Sequence, residues 1–209
     1  MRYNGPVDYK EQTIRFYDNN SESFASTANN VNMVRNYEHF FKHVPKGGSI
    51  VDMGCGSGRD LKYFREAGYC ASGVDASEGM CKVAHSYSGC PVVCCDAMSW
   101  APDTRYDAIW ANGSLLHLQT EEIVTFLRTK TDYLKPNGVV YFSMKAGIPE
   151  GFDQTGRYFT PFSESIVDSV LADGKLKLVE RWTEEDSLGR GGFHWEAIIL
   201  GKTQSVSSC

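Results

Sequence analysis

Three aspartates, each closing an apolar run, stand where this sequence could do chemistry. Asp52 follows Ile50-Val51 and is itself followed at once by Gly54, Gly56 and Gly58 on alternate positions. Asp75 ends the run Cys70 to Val74, about 20 residues past the glycines, the distance at which a carboxylate reaches ribose hydroxyls in nucleoside-binding α/β folds. Asp96 follows Val92 to Cys94 and leads into Ala97-Met98. Glycines at such a loop let the backbone take positive φ and a ligand come close. The acid at the mouth of the loop repels a pyrophosphate and attracts an ammonium group. The ligand expected here is a cationic amine joined to a nucleoside. Further along, His117 has an ordinary pKa near neutrality, which suits a general base or a packed core residue alike. The polar, glycine-rich stretch from Lys145 to Phe159 offers Lys145, Arg157 and Tyr158 to hold an anionic or polar substrate, or else forms a surface excursion with a structural arginine.

The elements that must position these groups are legible in the spacing. Ile50-Val51 reads as a buried parallel strand, and Arg59 to Ala67 as a helix with Leu61, Phe64 and Ala67 on one stripe. The loop therefore sits at a helix N-terminus, where free N–H groups favour polar or anionic ligand atoms. Neither of two familiar glycine loops fits. Arg59 stands where the dinucleotide fingerprint needs its third glycine, and no Gly-Lys-Ser/Thr follows for a phosphate loop. Further strands are expected at Cys70 to Val74, Val92 to Cys94, Tyr106 to Ala111, Val139 to Met144, Leu176 to Trp182 and Phe193 to Leu200. Helices are expected at Glu11 to about Phe24, Val31 to Val44, Glu121 to Tyr133, and Phe162 to Leu171 with Ser163 as its cap.

On these residues the sequence resembles the class I S-adenosylmethionine-dependent methyltransferases. The matching patterns are Val51-Asp52-Met53-Gly54-Cys55-Gly56-Ser57-Gly58, Gly73-Val74-Asp75-Ala76-Ser77 with Met80, and Cys95-Asp96-Ala97-Met98. They continue with Tyr106 to Ala111 running into Leu115-Leu116-His117-Leu118, and with Leu134-Lys135-Pro136-Asn137-Gly138. They stand in the family's order over roughly residues 45 to 145. The resemblance implies a three-layer Rossmann-like α/β sandwich on a seven-stranded, mostly parallel sheet with an antiparallel edge strand. It implies S-adenosylmethionine as cofactor and S-adenosylhomocysteine as product. The loop of Asp52, Gly54, Cys55, Gly56 and Gly58 would wrap the methionine part, Asp75 would hold the ribose, Ala76 and Met80 would flank the adenine, and Asp96 with Ala97 would meet its amino edge. Ala111, Asn112 and Tyr17 join the cofactor contacts, and His117, Arg157 and Tyr158 are the candidates for the chemistry. By the same resemblance, residues 1–44 form an N-terminal helical lid segment, 45–203 the methyltransferase domain and 204–209 a disordered tail. Tyr17-Asp18 and Phe24 then either close over the cofactor or simply pin their helix to the sheet.

A chain of 209 residues with 42% hydrophobic content can bury one sizeable core. Its net charge of −5 argues against a nucleic-acid acceptor. The stretch Asn112-Gly113-Ser114 lacks the prolines of enzymes that methylate base amino groups in DNA, and no Pro-Cys pair is present for pyrimidine C5. Seven cysteines without a Cys-x-x-Cys pair or zinc spacing read as reduced thiols. His39 and His43 share a helix face without a visible third ligand, so no metal is expected. The start Met1-Arg2-Tyr3-Asn4 is no signal peptide and no run is long enough to span a membrane, so a soluble cytoplasmic protein, monomer or homodimer, is expected. The reading that follows is a small-molecule methyltransferase moving a methyl group to O, N or S. RNA or protein methylation and a cofactor-binding module without chemistry stand as alternatives.

Overall fold

The computed structural model describes residues 8–203, so the expected tail at 204–209 lies outside the described residues. Seven strands form one sheet: β1 (Ser49–Met53), β2 (Cys70–Asp75), β3 (Val92–Cys94), β4 (Tyr106–Asn112), β5 (Leu134–Ala146), β8 (Leu176–Glu185) and β9 (His194–Lys202). The two-residue strands β6 (Gly151–Phe152) and β7 (Tyr158–Phe159) pair separately. Strand order in the sheet is β3-β2-β1-β4-β5-β9-β8. The first five strands are parallel, and the C-terminal hairpin supplies the antiparallel pairings, β9 against both β5 and β8. Strand order reverses between β1 and β4, the switch point outside which open α/β sheets bind their ligands.

Both faces of the sheet are covered, which is why β1, β4 and β5 read as apolar runs rather than alternating ones. On one face Val51, Ile109, Val140 and Phe142 pack with α5 (Thr120–Lys130) and α6 (Glu164–Leu171). On the other, Ile50, Trp110 and Tyr141 pack with α2 (Val34–Phe41) and with Phe64 of α3 (Arg59–Glu66). Trp110 and Tyr141 stack at 3.8 Å between centroids. The helix α2, grouped by sequence with the lid, thus sends Tyr37 and Phe40 into the core; it is shorter than Val31 to Val44, although Val44 beyond its end stays buried.

The helix α4 (Glu78–Ser88) was not among the sequence expectations, yet its signals are present: Ser77 accepts from the Met80 N–H and Gly89 closes it at φ 69°. Ser163 does occupy the cap position of α6, but its hydroxyl meets Ser165 rather than the helix backbone. The turn Leu134 to Gly138 falls inside β5, where Asn137 takes φ 64° and the register with β4 shifts. His39 and His43 both meet Glu180, at 2.5 and 2.9 Å, so the histidine pair ties α2 to β8.

Candidate active site

The acids and glycines come together at the carboxyl ends of β1, β2 and β4, where a cavity of about 530 Å³ opens. Gly54, Gly56 and Gly58 all take positive φ, 72°, 51° and 77°. Gly54 lies against the Ser114 side chain, where a Cβ would collide. Gly58 caps α3 and faces the backbone of Ala84 in α4, so its freedom serves helix packing. The Asp75 carboxylate ties the loop to its neighbour, accepting from the Gly56 and Ser77 N–H groups at 2.9 Å each. Burial raises its pKa, against the pull of those two donors.

Behind the loop lies a second acid centre. Asp60 receives Tyr37 Oη at 2.5 Å, Trp110 Nε1 at 2.8 Å and the Arg59 guanidinium at 2.6 and 3.0 Å. Burial pushes Asp60 up, but Arg59 and these donors outweigh it and hold its carboxyl below the usual range. Asp52 is buried, and its Oδ2 has no hydrogen-bond partner among the described residues. Burial first, then Asp60, raises its pKa well above the ordinary value. Arg59, paired with Asp60, is the one cation acting on Asp52 against the charges of Asp60 and Asp75, which leaves the region short of positive charge. That balance, with the glycine cradle, fits the ammonium, sulfonium and ribose of S-adenosylmethionine.

Of the residues singled out from sequence, Gly54, Cys55, Gly56, Asp75, Ala76, Met80, Asp96, Ala97, Asn112, Tyr17, His117 and Arg157 line the cavity. Asp52, Gly58, Ala111 and Tyr158 do not. Asp52 and Ala111 are buried in the strands. The Tyr158 ring packs on Tyr9 and its hydroxyl donates to Glu150 at 2.6 Å, facing away from the site. Sequence reasoning passed over Arg59, Asp60, Asn36, Phe159, Trp195 and the Asp186–Arg190 pair, all of which reach the cavity. The Arg-Asp step directly after Gly58 was the one local signal. The others arrive from β7, from α2, from β9 and from the loop joining β8 to β9.

The helix α1 (Tyr9–Ala28), capped by Asp8, lies across this cavity. Its Asp18 accepts from Ser77 Oγ and Gly79 N, which fixes it to the start of α4. Its Thr13 Oγ1 accepts from Tyr158 N, and Lys10 reaches Glu122. Between these anchors Tyr17 Oη lies 2.9 Å from His117 Nε2, while His117 Nδ1 lies 2.7 Å from the Tyr158 carbonyl. A carbonyl only accepts, so Nδ1 carries the proton and Nε2 receives the tyrosine hydroxyl. The histidine is neutral, with its lone pair already occupied.

Burial pushes His117 down to about 4, against the hydrogen bond to Tyr158 and with help from the charge of Arg157. The unfolded chain holds this group near its ordinary pKa of about 6.5. At neutral pH neither state binds the proton and the group contributes nothing. As pH falls from about 6.5 towards 4 the unfolded state takes it up first, so stability drops. Over that window wild type should lose about 1–3 kcal/mol more than His117→Gln in urea titrations, the range reflecting contact with the cavity. Parallel pH curves for the two proteins would contradict a neutral, buried His117.

Residues 50–138 match the model of a family described as a methyltransferase domain. No curated protein matches the chain by sequence. Among solved structures, the chain is similar to 1,6-didemethyltoxoflavin-N1-methyltransferase of Burkholderia thailandensis, solved with 1,6-didemethyltoxoflavin and S-adenosylhomocysteine. The two are 19% identical over 98% of this chain and 93% of that one, with a TM-score of 0.76. The cyclase SpnF is 16% identical over 96% and 99%, with a TM-score of 0.73. A TehB-like S-adenosylmethionine-dependent methyltransferase from Corynebacterium glutamicum is 18% identical over 88% and 98%, at 0.67. The chain thus carries a methyltransferase domain over residues 50–138, set in the seven-stranded Rossmann-like sheet that its structural neighbours share. Among the described residues no helix is long and apolar enough to cross a membrane.

Proposed function

We propose that this enzyme methylates a small molecule enclosed between the sheet edge and α1. The observation that carries this reading is the closure of the cavity by α1, which leaves space for a compact acceptor beside the cofactor rather than an open groove for a polymer. Two of the structurally similar enzymes are named for methyl transfer, one of them on a small heterocycle. In this reading residues 1–44 belong with the methyltransferase domain as one working unit, with α1 as its cover.

The cofactor, when bound, supplies a methyl group on a positively charged sulfur, already activated for in-line displacement. What the chain contributes is alignment and the exclusion of water. Asp75 holds the ribose through the lone pairs left over from its two backbone bonds. Ala76 and Met80 flank the adenine, and Asp96 with Ala97 meets its amino edge. Asp52 stays buried beneath the loop, where burial favours its neutral carboxyl, and does not touch the ligand, while Asn112 and Tyr17 border the reacting centre. His117 holds the Tyr17 hydroxyl in place and acts as a positioning residue. Arg157 lies over Phe16 and Phe159 at 4.7 and 5.2 Å and shapes the acceptor wall.

The net charge of −5 disfavours RNA as acceptor. Six cysteines among the described residues are free thiols, in keeping with a reducing, cytoplasmic setting, and monomer or homodimer is the working form proposed. The test is incubation with S-adenosylmethionine bearing an isotopically labelled methyl group, together with a fractionated metabolite extract. Label is expected in a low-molecular-mass product one methylene heavier than its precursor. Label confined to RNA or protein, or absent throughout, would overturn the reading.

A further inference from the structure

On the side of the cavity away from the glycine loop, one ammonium group meets no anion. Lys145 stands at the end of β5, register partner of Trp195 in β9. Its Nζ lies 4.6 Å from the centre of the Phe159 ring, 4.7 Å from Phe193 and 5.4 Å from Trp195. The two guanidiniums on the same wall are already neutralised. Arg157 Nη2 is 2.8 Å from Asp153, and Arg190 Nη2 is 2.7 Å from Asp186. Glu184, which also borders the cavity, is engaged by Asn36 and Trp182, and Glu185 is exposed at the rim. Among the described residues Lys145 Nζ has neither an ion pair nor a hydrogen bond, only the three rings. Its position costs it basicity: burial, then Arg190 and Arg157, lowers its pKa to about 8.

An aromatic box usually receives a cationic ligand. Here the chain's own lysine fills that place, so a ligand arriving from the cavity meets the ammonium from its open side. Deepening the small-molecule reading above, on which it rests, we propose that the acceptor is a monoanion whose carboxylate pairs with Lys145, its apolar body lying beside Phe159, Phe193 and Trp195. The charge count favours one negative charge. A single uncompensated cation, with Asp153 and Asp186 close by, matches a carboxylate and leaves a phosphate dianion half unpaired. Lys145 is then the residue that selects the acceptor, while Arg157 and Arg190 hold the wall in shape.

The probes are benzoate, benzamide and inorganic phosphate at matched ionic strength, titrated into the protein with and without saturating S-adenosylhomocysteine. Benzoate is expected to bind at least about tenfold more tightly than benzamide, as a charge-assisted hydrogen bond requires. Phosphate should bind more weakly than benzoate. Lys145→Met should erase the preference for benzoate and leave binding of S-adenosylhomocysteine intact, and Lys145→Arg should keep most of it. Benzoate no better than benzamide, a preference surviving in Lys145→Met, or phosphate as the tightest probe would each overturn the proposal. Should Lys145→Met fail to fold, the wild-type comparison still decides. Discrimination between the probes with no binding of S-adenosylhomocysteine would sink the methyltransferase reading and leave only a carboxylate site at Lys145, not an acceptor site.

Discussion

Asp75→Ala is expected to lose binding of S-adenosylhomocysteine by about 100-fold or more. Each carboxylate oxygen already accepts one backbone N–H, from Gly56 and from Ser77, and each keeps a lone pair for a ribose hydroxyl. Two charge-assisted hydrogen bonds at about 1.5 kcal/mol apiece account for the hundredfold. The loss extends beyond the ligand, because the variant also strands two loop donors that the carboxylate holds in the free protein. Gly56 would lose its tie to β2, and the loop its shape. Calorimetric titration of both proteins measures the affinity, with thermal unfolding of the unliganded variant as a check that the sheet survives. Wild-type affinity in Asp75→Ala would remove the acid from the cofactor site.

A second large effect falls on stability. Gly58→Ala should lower it by about 3 kcal/mol, from about 1–2 kcal/mol for a left-handed non-glycine residue plus the cost of overpacking. The added Cβ would sit 2.7 Å from the Ala84 carbonyl oxygen and 2.8 Å from its Cα. Both are helix backbone and cannot turn aside, so α4 must move. For a chain of this size the expected fall in Tm is roughly 6–12 °C. Gly56→Ala makes the contrast. Its φ is 51°, but the nearest atom to a Cβ is the Gly54 carbonyl at 3.9 Å, so the strain stays local. That variant should lose about 1 kcal/mol of stability while damaging the ligand site, since Gly56 lines the cavity. Equal Tm values for Gly58→Ala and wild type would contradict the packing role assigned to Gly58.

These two glycines mark where sequence reasoning reached and where it ran out. Alternate glycines after Ile50-Val51-Asp52 announce a loop after a strand, because the signal is local. Which glycine faces ligand and which faces α4 depends on a helix more than twenty positions away. The strand ends carrying Asp52, Asp75 and Asp96 were legible for the same reason, and the five parallel strands followed from them. Tyr158 and Phe159 are adjacent in sequence, and strand alternation in β7 sends the first into packing and the second to the cavity. The ring box around Lys145 draws on β7, β9 and the loop before it, and no spacing in the chain brings those together. Likewise the partner of His117 is Tyr17, a hundred positions earlier, so a residue that looked free to act as a base is held by a hydroxyl.

Fold alone does not settle the chemistry. A cyclase shares this architecture nearly end to end. The assignment therefore leans on the acid-lined loop and the domain match, and the donor is the claim to test first. Isothermal titration of the wild-type protein with S-adenosylhomocysteine should give saturable heat at one site per chain, and titration with NAD should give none. A flat trace with S-adenosylhomocysteine would contradict the account at its root.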